Sequence, residues 1–198
     1  MTTDSGLPDW LTDSWRRTLR RRCLNWYSDN ARDLPWRHSS DPYEIWISEI
    51  MLQQTQVKTV IPYFKKFISE IKSLKKLSST SERKVLKLWE GLGYYRRCRN
   101  LIKTAKIIVK KERSKLPKTL VDIKKLPGIG DYTGNVLLAL IYNQPRLALD
   151  GNVKRVYSRI LNKKETSVDF CKFIKFSTWN ILIYQGGNFL NRFYLLVP

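Results

Sequence analysis

Glu49 stands inside "IWISEIML", residues 45–52, a run that is otherwise apolar apart from one serine. If the run is helical, Ile45 and Trp46 lie one turn before the acid and Leu52 one turn after it. Such surroundings strip water from a carboxylate and favour its protonated form, which is what a proton donor working near neutral pH needs. A second acid, Asp150, opens "DGNVKR" ahead of another helical stretch, whose first amides and dipole favour a negative charge. Taken alone, Asp150 is a plain helix N-cap.

A third feature suits an anion. "LPGIGDYTG", residues 126–134, puts Pro127, Gly128 and Gly130 between two helical stretches. Glycines there let the backbone turn tightly and present bare N–H groups at the start of the next helix, the geometry of a helix-hairpin-helix phosphate clamp. A lone G-x-G between helices is ordinarily just an αα-hairpin turn. The adjacent Lys124 and Lys125, in a strongly basic chain, favour the clamp.

Other chemistries find no residues. His38 is the single histidine, so neither a His-based triad nor a zinc site can be assembled. Cys23, Cys98 and Cys171 are far apart and odd in number, with no C-x-x-C pair; they read as ordinary reduced thiols. No metal ligands are expected.

These groups must be held by 198 residues, of which 42% are hydrophobic, enough for one sizeable core or two small lobes. Lys and Arg number 37 against 17 Asp and Glu, a balance of +20 that nucleic acid or an anionic membrane surface would relieve. The longest apolar run, "NVLLALIY", is too short to span a bilayer. "MTTDSGLPDW" shows no secretory signal, so an intracellular location is expected, which in a prokaryote means the cytoplasm or nucleoid.

The dominant period is helical. A first amphipathic helix is expected around Trp15–Tyr27, broken by Pro35 and "SSDP". Asp41, Pro42 and Glu44 read as N-cap, N1 proline and capping-box acid of the helix carrying Glu49. Further helices are expected through "VIPYFKKFISEI", after a Ser79–Glu82 capping pair with Gly91 as C-cap, through "RNLIKTAKIIVKKER", around the glycine turn, and at "GNVKRVYSRIL" and "DFCKFIKFSTWNILI". No stretch alternates with a period of two, so the class is all-α.

"LPWRHSSDPYEIWISEIMLQQTQV", "WEGLGYYRRCRNL", "LPGIGDYTG" and "LALDGNVKRVYSRI" together resemble the adenine DNA glycosylase (MutY-type) branch of the helix-hairpin-helix base-excision superfamily, in matching order over about residues 15–165. The resemblance implies a two-lobed helical fold. A six-helix barrel lobe over 34–144, with the hairpin motif at about 116–142, would face a second lobe from 1–33 plus 145–198. The implied substrate is double-stranded DNA holding adenine opposite 8-oxoguanine or guanine, bound by a monomer with no membrane partner. Glu49 would be the catalytic acid, and Asp150 the electrostatic stabiliser or transient nucleophile.

By the same resemblance Trp36, Arg37, Leu52 and Tyr132 would line the adenine pocket, and Gln54 would enter near the vacated position. Leu92 and Tyr94 would wedge beside the opposing base, while Lys124, Lys125, Leu126, Gly128 and Gly130 would grip the DNA backbone. Tyr132 stands where bifunctional members place a Schiff-base lysine, which implies hydrolysis without efficient strand cleavage.

The family continues into four cysteines that hold a 4Fe-4S cluster and usually an 8-oxoguanine-recognition domain. This sequence reads "GGNFLNRFYLLVP" and has no cysteine after Cys171, so no cofactor is expected on this chain, and a frameshift or truncation after about Gly187 is expected. Two other readings compete: an endonuclease III-like glycosylase/lyase on oxidised pyrimidines, and a non-catalytic DNA-binding remnant.

Overall fold

Side-chain caps set where the helices begin. The computed structural model describes residues 12–111, 114–144, 146, 148–162 and 164, and among them it contains helices and no strand, as the period requires. The helices are α1 (Asp13–Asn30), α2 (Pro42–Leu52), α3 (Val57–Glu70), α4 (Leu74–Ser79), α5 (Glu82–Trp89), α6 (Tyr95–Lys111), α7 (Leu120–Ile123), α8 (Asp131–Tyr142) and α9 (Gly151–Leu161), with a 3-10 turn at Pro35–Arg37. Thr12, Asp41, Ser73, Ser81, Thr119 and Asp150 each accept a first-turn amide through the side chain. The expected helix at "DFCKFIKFSTWNILI" and the tail beyond it lie outside the described residues.

Two capping expectations need correction. The Asp41 amide donates to Ser39 Oγ at 3.1 Å, so the nearer serine takes the place that the Glu44 carboxylate would fill in a capping box. Ser79 does not start α5; it ends α4 and turns its hydroxyl back to the Lys76 carbonyl at 3.1 Å. Thr80 closes α4 on the same carbonyl, and Ser81, two residues later than expected, caps α5.

The chain divides into two units. One spans Asp33–Tyr142, and the other holds α1 and α9. In the first, α2 packs against α3, α6, α8 and the 3-10 turn. Trp46, Ile47 and Met51 of α2 are fully buried with Phe67, Trp89, Leu101 and Leu137. Trp36 meets Phe64 edge-on at 5.3 Å, and Phe67 meets Trp89 at 6.1 Å. Each such side chain contributes about 1.5–3 kcal/mol through apolar burial, so α2 is held by its contacts more than by its propensity. Among the described residues no helix is long and apolar enough to cross a membrane.

Candidate active site

α2 is buried on nearly every side: Tyr43, Ile45, Trp46, Ile47, Ser48, Ile50 and Met51 are all enclosed. Ser48 satisfies its hydroxyl on the Ile45 carbonyl at 2.8 Å, leaving Glu49 as the one ionisable group in the helix's last turn. Glu49 keeps a partly exposed surface, yet no described residue hydrogen-bonds to its carboxyl or forms an ion pair with it. Desolvation therefore acts unopposed and pushes its pKa up to about 7. Near pH 7 the group is shared between acid and carboxylate, the state a proton donor requires.

The end of α2 is closed by a residue that the sequence reading overlooked. Arg97, near the start of α6, donates from one guanidinium nitrogen to the Ile50 carbonyl at 3.1 Å, the Met51 carbonyl at 2.8 Å and the Gln53 carbonyl. Its other terminal nitrogen donates to Thr55 Oγ1 at 2.8 Å. The signal was present in the spacing: Arg97, Leu101, Thr104, Ala105 and Ile108 lie on one buried helical face, whereas Arg96 and Arg99 point to solvent. Gln53 ties the same turn to α8, its Nε2 donating to Thr133 Oγ1 at 3.1 Å.

The glycine turn between α7 and α8 is anchored from below. Leu126 and Ile129 are buried, and Thr104 of α6 donates to the Pro127 carbonyl at 2.9 Å. Gly128 has φ +83, and a Cβ there would sit 3.0 Å from Asn100 Cβ, so both backbone sign and space require glycine. Among the described residues no backbone acceptor takes the Gly128 or Gly130 amide. Both amides lie just before α8, whose positive end favours an anion. Lys124 pairs with Asp131 at 2.5 Å and Lys125 with Asp122 at 2.8 Å; exposed pairs of this kind are worth about 0–1 kcal/mol, so phosphate can displace them.

The remaining expected residues scatter. Gln54 is exposed with φ +56, and Tyr94 is 57% exposed with φ +48. With Gln53, Arg97, Asn100 and Gly128 they line a cleft of about 360 Å³. Glu49, Leu52, Trp36, Arg37 and Tyr132 do not line it. Trp36 is buried in the core, Arg37 and Leu52 are half-buried, and Tyr132 is 42% exposed.

Leu92 corrects the expectation of a surface wedge. It is only 4% exposed and belongs to the hydrophobic core, because the turn after Gly91 folds it inward while presenting Tyr94 outward. Leu126 is likewise buried, which leaves only its backbone able to face a ligand.

Asp150 lies in the other unit. Its Oδ1 accepts the Val153 amide at 2.7 Å, and the residue is half-buried. The carboxylate thus meets the positive end of α9.

The residues do not fit an iron-sulfur cluster. Three cysteines cannot supply four thiolates, and Cys98 lies fully buried in the core, its thiol pushed up to about 12 by desolvation. Among the described residues no group of three or more His, Cys, Asp or Glu side chains converges.

Residues 47–170 match the model of the HhH-GPD superfamily base excision DNA repair proteins. The adenine DNA glycosylase of Buchnera aphidicola subsp. Baizongia pistaciae is 49% identical over 146 residues, covering 71% of this chain and 42% of that protein. That of Buchnera aphidicola subsp. Acyrthosiphon pisum is 47% identical over 172 residues, 84% of this chain and 49% of its own length. The adenine DNA glycosylase of Homo sapiens is 39% identical over 72% of this chain and 28% of its own length. The chain therefore spans less than half the length of these curated relatives. Among solved structures, a thermostable thymine-DNA glycosylase superposes with a TM-score of 0.79 at 24% identity, covering 93% of this chain and 84% of its own. A trapped endonuclease III–DNA covalent intermediate gives 0.72 at 20% identity, covering 94% and 84%. Both likenesses concern the fold.

Proposed function

The chain belongs to the HhH-GPD superfamily of base excision DNA repair proteins, and on that premise we propose that it is a monofunctional adenine DNA glycosylase acting on adenine opposite 8-oxoguanine or guanine. The observation that carries this reading is Glu49, a carboxyl raised to about 7 by burial alone in an apolar helix. Adenine leaves poorly as an anion. Protonation by Glu49 lets the N-glycosidic bond break with the electron pair going to the base.

The sugar then carries an oxocarbenium-like positive charge. Asp150, already placed among helix amides, supplies the compensating negative charge. Water adds at the anomeric carbon, and the proton it loses restores the Glu49 carboxyl, leaving free adenine and an abasic site. Trp36, Arg37, Leu52 and Tyr132 would form the wall for the extruded base, with Gln54 and Tyr94 filling the gap that it leaves in the stack. The Gly128 and Gly130 amides and the displaced Lys124 and Lys125 would hold phosphates without reading sequence. Tyr132 has no amine for a Schiff base, so the reaction stops at hydrolysis.

Single-turnover assays on duplexes with adenine opposite 8-oxoguanine, guanine or thymine, and on an oxidised pyrimidine, test the reading. Release of adenine from the first two alone supports it. Release of the pyrimidine with borohydride trapping indicates an endonuclease III-like lyase, and binding with no release indicates a non-catalytic remnant. Tyr132→Lys should create or raise trapping.

A further inference from the structure

Arg97 sits in a basic run, "YYRRCRN", but is only 9% exposed. Burying a guanidinium is expensive unless its donors are met, and among the described residues no carboxylate pairs with it. Its compensation comes from the carbonyls of Ile50, Met51 and Gln53, which belong to the end that a helix leaves without partners and that carries the negative end of its dipole. The same guanidinium lies 5.1 Å from the Tyr94 ring centre and 5.8 Å from that of Trp89.

Gln54 and Tyr94 are non-glycine residues held at φ +56 and +48, which persist only where the surroundings over-determine them. Arg97 touches both neighbourhoods: the Gln53 carbonyl and Thr55 hydroxyl on either side of Gln54, and the Tyr94 ring itself.

We propose that Arg97 is a positioning residue that locks the turns bearing Gln54 and Tyr94 to the end of the Glu49 helix, so that base extrusion and proton donation occur in one fixed geometry. The consequence for rate rests on the glycosylase reading above; the mechanical coupling does not. On this proposal Arg97 acts through the two turns and not by gripping base or phosphate.

Amide exchange tests the coupling without any reaction. In full-length Arg97→Lys, which keeps the charge but loses the planar fork, peptides covering 50–56 and 91–95 should both exchange faster, by roughly tenfold, while 131–142 stays unchanged. Arg99→Lys, altering an exposed pair with Glu82, is the control. Should Arg97→Lys fail to fold, Tyr94→Leu removes only the ring contact and should still loosen 50–56.

In the reaction, Arg97→Lys should slow single-turnover release at saturating protein by about a hundredfold while leaving the Kd for undamaged duplex and its salt dependence unchanged. With Glu49→Gln as background, the fluorescence rise of 2-aminopurine placed at the adenine position should shrink. Loosening confined to the peptide that contains residue 97, or loosening of both turns with an unchanged rate, would overturn the proposal. A loss of affinity with a shallower salt slope would make Arg97 a phosphate contact and overturn it as well. If the wild-type chain releases no adenine, the glycosylase reading fails, and the exchange result alone decides the coupling.

Discussion

Glu49 lies in the last turn of α2, and Asp150 caps the first turn of α9, so one chemical group meets opposite ends of the peptide dipole. No described residue partners the Glu49 carboxyl, and desolvation raises its pKa to about 7. Asp150 instead accepts the Val153 amide at 2.7 Å at the N-terminal end of a helix. The difference teaches that a fold can give two carboxyls unlike surroundings without any special residue. Helix polarity and solvation do it.

The sharpest way to break this contrast is to remove the proton donor. Glu49→Gln preserves shape and should cut adenine release by about 10²–10⁴-fold, with duplex affinity intact in a filter-binding or anisotropy titration. Asp150→Asn comes next. Asparagine caps helices as well as aspartate, so α9 should survive, but the loss of charge should slow release by about 10²–10³-fold. If Asp150→Asn were as active as wild type, Asp150 would be a cap and nothing more.

A third, gentler probe is pH. With Glu49 near 7, the single-turnover rate should hold on the acid side and fall tenfold per unit above about pH 7, a decline that Glu49→Gln should lack. The smallest effect concerns stability. The folded protein keeps the Glu49 proton to about 7 where the free side chain loses it near 4.5, so the fold binds more protons in that window and weakens as pH rises through it. Glu49→Gln should therefore melt above wild type at pH 8, by calorimetry, and the gap should close toward pH 4.5.

Much of this was legible in the sequence because it depends on local rules. Asp41–Pro42 before a helix, Gly128 and Gly130 in a turn, and Glu49 amid isoleucine and tryptophan are statements about neighbours in the chain. The errors arose where tertiary packing chose. Serines crowd "SSTS", and any of several could cap; the closing bonds of Thr80 onto Lys76 settled on Ser81. Leu92 lies between glycines that free the backbone, so only the folded turn reveals that it points inward. Arg97 was hidden by its neighbours. In a run of three arginines within four residues, charge reads as surface, and only the helical register of α6 separates the buried one from the rest.

Gln54 and Tyr94 also carry a consequence for anyone who selects this protein for robustness. Each holds a backbone angle that glycine adopts at no cost and other residues adopt at about 1–3 kcal/mol. A thermal-tolerance screen with no functional readout should therefore enrich Gln54→Gly, whereas at Tyr94 the relief of strain is set against the lost ring contact with Arg97. The winners would be hardier molecules that had lost a side chain presented to the cleft.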